Sequence, residues 1–206
     1  MKFREIRIIG STLSACVGWN WPVVVLQALR GKNVLFDKSR WSKNRGPEAR
    51  FVQRIALAPA LYRELGERIG SDRAFNVVES ILVPIGCAEQ WDHLHAIDVA
   101  GRSPMARLRA FNERMDRKGS PRFNRREVLR QDDETCHFII TRCVFSDFFT
   151  AVGTPELTGL FCEVDRRFFP EAFPGLRFHR GGSWQNTIAC GRDHCEFVFE
   201  KKGIQG

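Results

Sequence analysis

The hydrophobic pattern of the chain changes its period near Gly119 and Pro121, and this change constrains the fold more than any other feature. Before it, helical segments begin near Ala49, Ser71, Ala88 and Pro104, with apolar residues at helical spacing. After it, short runs of alternating apolar and polar residues are separated by turn residues, as is typical of antiparallel strands. The sequence therefore predicts an α+β fold: a helical N-terminal half followed by a roughly four-stranded antiparallel sheet with packed helices.

Turn and cap residues predict where these elements end. Gly70 is expected to stop the first of these helices, which Pro59 kinks or interrupts. Asp132–Asp133–Glu134 predicts a hairpin turn, and Gly191–Arg192–Asp193 is expected to join the last two strands. Thr154 is expected to cap a helix that contains Cys162.

Residues 1–48 differ in composition from the rest of the chain. Trp19, Trp21 and Trp41 are three of its five tryptophans, and the basic stretch DKSRWSKNRGPE closes the segment. We interpret residues 1–48 as an N-terminal extension of a domain formed by residues 49–206. The extension is expected to pack on that domain or on a second subunit, so that a homo-oligomer is one expected partnership.

The most apolar part of this extension falls short of a membrane span. Asn20, Pro22 and Gln27 interrupt it, whereas a spanning helix needs about 20 predominantly apolar residues. We therefore expect no membrane partner, and a membrane-surface role is the less favoured alternative.

The net charge of +8 would suit an acidic partner. However, the basic residues are scattered apart from Lys38–Arg50 and Arg122–Arg130, and no nucleic-acid-binding motif accompanies them. We expect no nucleic-acid partner. The seven cysteines are an odd number in a chain too long to need disulfide staples, which indicates free thiols in a reduced, cytoplasmic protein.

Several cysteines lie where predicted elements meet. Cys143 ends a strand, Cys162 lies within a helix, and Cys190 and Cys195 flank the last turn; each could simply be a small buried apolar residue. On a helix, Cys162 and Asp165 would share one face. Because an ionised Asp165 would raise the pKa of the thiol, we expect it to bind a cationic substrate group or to move a proton. A salt bridge to Arg166 or to a strand arginine is the structural alternative.

A metal site would have to combine these thiols with His179 or His194. Cys190 and Cys195 are loosely spaced and no Cys-x-x-Cys pair exists, so the sequence predicts no metal and no cofactor.

Four short motifs follow one another in the C-terminal half. They are Arg142–Cys143, Gly153–Glu156–Leu157, Cys162–Asp165 and Gly191–Cys195–Phe197. Their order resembles that of the bacterial L-2-amino-thiazoline-4-carboxylic acid hydrolase family, over roughly residues 50–200. Arg192 and Glu196 depart from the family pattern, which has an acidic residue and an aspartate there.

The resemblance implies a hydrolase that opens or cleaves a C–N or C–S bond of a small carboxylated heterocycle such as 2-aminothiazoline-4-carboxylate. Asp165 would hold the amidinium, and Cys162 or a water near it would attack C2, with Cys143 or Cys195 as alternatives. The residues it implicates are the catalytic candidates Cys162, Asp165, Cys143 and Cys195 and the substrate-binding candidates Arg142, Arg180 and His179.

Two other functions remain open on the sequence. The final Gly191–Cys195–Phe197 pattern also resembles the 4-vinyl reductase domain, which implies a non-catalytic module that binds a small ligand. A basic interaction protein that works through residues 1–48 is the third possibility.

Overall fold

In the computed structural model, which describes residues 3–203, eight α-helices accompany one four-stranded antiparallel sheet. The helices are α1 (Phe3–Val17), α2 (Trp21–Asp37), α3 (Pro47–Ile55), α4 (Leu57–Ile69), α5 (Ser71–His95), α6 (Pro104–Lys118), α7 (Val144–Ala151) and α8 (Thr158–Ala172). The strands are β1 (Arg125–Gln131), β2 (Thr135–Arg142), β3 (Leu176–His179) and β4 (Cys195–Lys201), in the order β1-β2-β4-β3. The predicted α+β class is confirmed.

The first predicted helix is divided into α3 and α4 at Ala56. Pro59 lies in the first turn of α4, where a missing backbone N–H costs no hydrogen bond. Gly70 ends α4 as predicted, with the positive φ of +82° that glycine adopts without strain.

Helices α5 and α6 show how local chemistry sets helix length. α5 continues through Pro84 as one helix of 25 residues, where the sequence predicted two helical segments. α6 begins as predicted: Pro104 occupies the first turn, and the Ser103 hydroxyl accepts a hydrogen bond from the Ala106 N–H at 3.2 Å.

The predicted hairpin turn between β1 and β2 is confirmed. A carboxylate oxygen of Asp132 accepts the backbone N–H groups of Glu134 and Thr135 at 2.9 and 2.8 Å. A hydrogen bond from Arg130, together with these two, lowers the pKa of Asp132 to about 2.

Two predictions about the C-terminal half were wrong. Residues 180–194 form an irregular loop between β3 and β4 in place of a tight turn at Gly191. The loop is held by its own polar groups, since the Asn186 amide donates to the Arg180 carbonyl at 2.9 Å. Thr154 does not cap a helix through its side chain; a 3₁₀ turn at Pro155–Leu157 leads into α8 instead.

The described chain divides into two compact units. The helical unit comprises the residues up to Gly86 together with Phe148–Leu160. The sheet unit comprises Cys87–Asp147 together with the residues from Phe161 onward. All four strands, α6 and most of α8 therefore belong to the sheet unit.

In the helical unit, the N-terminal segment is part of the packing. α2 lies along α4 and buries Val24, Ala28 and Leu35. Trp41 packs edge-to-face on Phe148, with ring centroids 5.8 Å apart.

The core of the sheet unit is aromatic. Phe168 and Phe169 of α8, and Phe173 directly after it, pack against the ring of Phe111 on α6. Phe169 also meets the ring of Phe199 on β4 at a centroid distance of 4.9 Å. This packing fixes α8 on the sheet and so sets the position of the polar residues that α8 carries.

Candidate functional site

A buried ion pair joins α8 to the residue that follows β3. A terminal nitrogen of Arg180, Nη2, donates to Oδ2 of Asp165 at 2.9 Å. The Arg180 side chain is 1% exposed and that of Asp165 is 20% exposed, so the carboxylate forms the accessible side of the pair. A salt bridge of Asp165, the structural alternative, is therefore present, but its partner is Arg180 next to β3, whereas Arg166 pairs with Glu163.

Aromatic rings and a carbonyl hold the guanidinium of Arg180 in place. It lies 3.9 Å from the ring centroid of Phe197 and 5.6 Å from that of Phe178. Its Nη1 donates to the backbone carbonyl of Glu196 at 3.2 Å, whereas its buried Nε has no hydrogen-bond acceptor among the described residues. These contacts fix the orientation of the guanidinium and leave its Nε–H group without an acceptor in the described part of the chain.

Gln90 of α5 completes the polar group, and no pattern in the sequence indicated this role. Its amide nitrogen donates to Oδ1 of Asp165 at 3.3 Å. Its amide oxygen is buried and has no donor among the described residues. Burial raises the pKa of Asp165, whereas Arg180 and the Gln90 hydrogen bond lower it.

The thiol of Cys162 lies three residues before Asp165 on α8, as the helical spacing predicted. Burial raises the pKa of Cys162 to about 12; the charge of Arg180 lowers it, and Asp165, Cys195 and Cys143 raise it further. Because these groups influence the same thiol, the three cysteines and the ion pair share one region of the sheet unit.

Cys143 stands between β2 and α7, at the start of the helix. Its carbonyl accepts the Asp147 N–H at 2.9 Å. Burial raises the pKa of its thiol to about 11, although hydrogen bonds from the backbone N–H groups of Ser146 and Phe145 oppose the rise.

Cys195 is the first residue of β4. Its sulfur accepts the Ile188 N–H at 3.1 Å, and burial raises its pKa. Cys143, Cys162 and Cys195 are therefore all thiols at neutral pH, and activation of any one as a nucleophile requires a base.

The other two predicted substrate-binding residues contact other groups. Arg142 donates to Asp147 at 2.8 Å and to the Phe123 carbonyl at 3.1 Å. One ring nitrogen of His179 lies 3.1 Å from the Gly181 carbonyl, and the other lies 3.3 Å from the Glu200 carboxylate. Of the predicted site residues, Asp165 and Arg180 are in direct contact, and Cys162, Cys195 and Cys143 lie within electrostatic range of one another. His179 contacts Glu200 instead.

The part of the chain that the structure describes contains no set of metal ligands. Between residues 3 and 203, no group of three or more His, Cys, Asp or Glu side chains could hold a metal ion. The seven cysteines are free thiols.

The comparison with known protein families finds a match to one family model. The family model described as L-2-amino-thiazoline-4-carboxylic acid hydrolase matches residues 49–199. No curated protein matches the chain. Among solved structures, the Fe(II) unliganded H-NOX protein from K. algicida is 10% identical, with a TM-score of 0.35 over 100% of this chain and 99% of that one. A likeness this weak carries no argument about function.

Proposed function

Because the chain belongs to the L-2-amino-thiazoline-4-carboxylic acid hydrolase family, we propose that it opens the ring of a small carboxylated heterocycle. The substrate class is a cyclic isothiourea such as 2-aminothiazoline-4-carboxylate, and the bond broken is a C–S or C–N bond at C2. The observation that supports the proposal is that the Cys162 thiol lies within electrostatic range of the Asp165–Arg180 pair and of the Cys143 and Cys195 thiols, inside the matched region.

The hydrogen-bonding capacity that remains around the Asp165–Arg180 pair suits such a substrate. Oδ1 of Asp165 and the unpartnered amide oxygen of Gln90 are two neighbouring acceptors for the N–H groups of an amidinium. The buried Nε of Arg180 is a donor for the substrate carboxylate. The cation of Arg180 favours the ionised form of Asp165 against the effect of burial, and the ionised form is the one that pairs with a cationic ring.

Asp165 also serves as the base that the protonated thiols require. The Cys162 thiol adds to C2, its proton passes to Asp165, and the amidinium π electrons move to nitrogen, which leaves a neutral tetrahedral adduct. A carboxylate whose pKa is raised by burial is a stronger base than one in water. The positive ring also lowers the pKa of the nearby thiol while it is bound.

Collapse of the adduct breaks a ring bond. Asp165 returns the proton to the departing ring sulfur or nitrogen, and C2 stays attached to Cys162 as a cation. Water then adds to C2, one of its protons goes to the departing Cys162 sulfur and the other is released to solvent, so that the product is a carbamoyl-cysteine and both residues are regenerated. C–S cleavage gives the N-carbamoyl isomer and C–N cleavage gives the S-carbamoyl isomer, so the product identifies the bond.

The test compares variants of the purified protein with L-2-aminothiazoline-4-carboxylate, with the product identified by mass spectrometry. We expect Cys162→Ala and Asp165→Asn to lower turnover by about a hundredfold or more while the circular dichroism spectrum is unchanged. Cys190→Ala, which changes an exposed thiol, is the matched control and should keep wild-type activity. Full turnover by Cys162→Ala would reject Cys162 as the nucleophile, and an inactive wild-type protein would reject the substrate class.

A second candidate is the non-catalytic ligand-binding module. The observation that favours it is that all three thiols have raised pKa values and Asp165 already has a cation partner. This function predicts saturable binding of the heterocycle, unchanged in Cys162→Ala, with no product. Calorimetric titration beside the product assay separates the two functions.

A further inference from the structure

The exposed apolar side chains of the protein are concentrated in its first two helices. Seven of the ten large hydrophobic side chains that are exposed in the described residues lie on or between α1 and α2. They are Phe3, Ile6, Trp19, Val23, Leu26, Leu29 and Val34. Trp19 is 98% exposed, which is unusual for an aromatic ring of this size.

The positive charge is concentrated in the same part of the chain. Residues 1–54 contain 11 Lys and Arg against three Asp and Glu, whereas residues 55–206 contain 21 of each sign. The whole net charge of +8 therefore belongs to the first quarter of the sequence. Lys38, Lys43 and Arg45, in the connection from α2 to α3, are exposed.

The packing of α2 determines how this region can meet a partner. By length and composition alone, the helical stretch Phe3–Asp37 could cross a membrane. However, one side of α2 is covered by α4, and a Cβ on Gly31 would lie 3.6 Å from that of Ala60. With that side engaged, α2 can present only its outer side to an apolar phase, which is the geometry of a helix that lies in an interface.

We propose that the outer side of α1 and α2, with the basic connection that follows it, is a docking surface for an anionic lipid bilayer. We name it the N-terminal face and define it by the seven exposed apolar residues together with Lys38, Lys43 and Arg45. Apolar side chains enter the headgroup boundary, and the basic ones pair with lipid phosphates and carboxylates. Trp19 lies at the turn between the helices, where an amphipathic ring suits that boundary.

Charge favours a bilayer over a second copy of the chain, the partner expected from the sequence. Two copies meeting through the N-terminal face would bring together the segments that carry the full +8 of each chain, which costs free energy. An anionic bilayer can bind both the exposed apolar side chains and the positive charge of the N-terminal face.

The experiment measures flotation of the full-length protein with vesicles at about 0.1 M salt. One set is phosphatidylcholine alone, and the other contains phosphatidylcholine with 30% phosphatidylglycerol (about one charge in three headgroups). We expect binding to the anionic vesicles, little binding to the neutral ones, and a blue shift of tryptophan fluorescence that Trp19→Ala removes.

Two pairs of variants test the apolar and basic contributions separately. Val23→Gln/Leu26→Gln removes side chains that are 48% and 50% exposed, and Val128→Gln/Leu129→Gln removes the same residue types at 47% and 50% exposure on β1. The first should weaken vesicle binding about tenfold and the second should leave it unchanged.

The two variants of the second pair have the same net charge. Lys38→Glu/Lys43→Glu/Arg45→Glu and Lys118→Glu/Arg192→Glu/Lys202→Glu each lower the net charge from +8 to +2. The first should weaken binding more than tenfold, and the second much less. Equal losses within either pair, or no flotation of the wild-type protein, overturn the proposal. Self-association abolished by Val23→Gln/Leu26→Gln, without vesicle binding, overturns it in favour of a second copy.

Discussion

At the scale of single residues, the site depends on a charge pair that is expensive to bury. Arg180 and Asp165 are partly removed from water, and the cost is offset by their mutual attraction, by the ring of Phe197 and by the carbonyl of Glu196. Removal of one partner leaves the other charge without compensation. The pair therefore couples the stability of the protein to the chemistry that we assign to it.

Arg180→Met is expected to lower the free energy of unfolding by about 2–3 kcal/mol at pH 7, because Asp165 is left buried without its cation. Asp165→Asn added to Arg180→Met should recover part of this loss, since the amide carries no charge. Urea unfolding of the two single variants and the double variant measures the coupling. A double variant that is destabilised by the sum of the single effects would contradict the pairing.

The thiols predict a loss of stability at alkaline pH. Burial raises the pKa of Cys143 to about 11 and that of Cys162 to about 12, while the same thiols titrate near 9 when the chain unfolds. Above pH 9 the folded state therefore holds protons that the unfolded state has lost. The free energy of unfolding should fall by about 1.4 kcal/mol per pH unit for each thiol.

Urea unfolding at pH 8, 9 and 10 tests this dependence. Cys143→Ala/Cys162→Ala should show a shallower fall above pH 9, and the exposed Cys190→Ala should match the wild-type protein. If the double variant loses stability as steeply as the wild type, these thiols are not the cause.

At the scale of elements, the loop at residues 180–194 positions Arg180. Gly181 has a φ of +63°, and a Cβ there would lie against the Glu196 carboxylate. Gly182 next to it has open space around it and no positive φ. The backbone conformation therefore requires glycine only at Gly181, which directly follows Arg180 in the chain.

Gly181→Ala should destabilise the protein by about 1–2 kcal/mol or more, since an L-residue is strained at positive φ and Glu196 must move. It should also reduce turnover through displacement of Arg180. Gly182→Ala is the matched control and should leave the melting temperature and the activity near wild type. Equal effects of the two substitutions would show that the loop does not position the site.

At the scale of the whole molecule, the N-terminal segment is part of a packed unit although the family match begins at residue 49. Trp41 is 5% exposed, packs on Phe148 and donates its indole N–H to Glu48 at 2.9 Å. Trp19 has no such burial. The division into an extension and a domain at residue 48 stays a prediction of the sequence.

The two tryptophans give a matched test of this arrangement. Trp41→Ala should lower the free energy of unfolding by about 3–5 kcal/mol, because it leaves a cavity against Phe148. Trp19→Ala should leave it within about 0.5 kcal/mol, because the ring is already in solvent. Thermal unfolding of both variants measures the difference, and similar melting temperatures would contradict the packing.

Much of the fold follows from the sequence because secondary structure depends on local spacing. The change of period at Gly119 marks where the all-helical half ends and the half with the strands begins, Gly70 stops α4, and Asp132 forms the hairpin turn. Each depends on groups that are a few residues apart. The loop after Arg180 was missed, because its geometry depends on contacts with Asn186 and other groups beyond any turn motif.

The candidate site was only partly predictable, for the same reason. The spacing of Cys162 and Asp165 is a property of one helix, so the sequence predicted correctly that both lie on the same helix. That Asp165 meets Gln90, 75 positions away, depends on how α5 and α8 pack on the sheet. No pattern in the sequence records such a meeting.

Residue order alone is enough to predict the α+β class, the helical face shared by a thiol and a carboxylate, and the accumulation of charge near the N-terminus. The folded molecule was needed to see that Asp165 pairs with Arg180, that the thiols are protonated and that the apolar side of α1 and α2 is uncovered. This difference arises because spacing along the chain sets backbone conformation, whereas burial and long-range pairing depend on the packing of all the elements together.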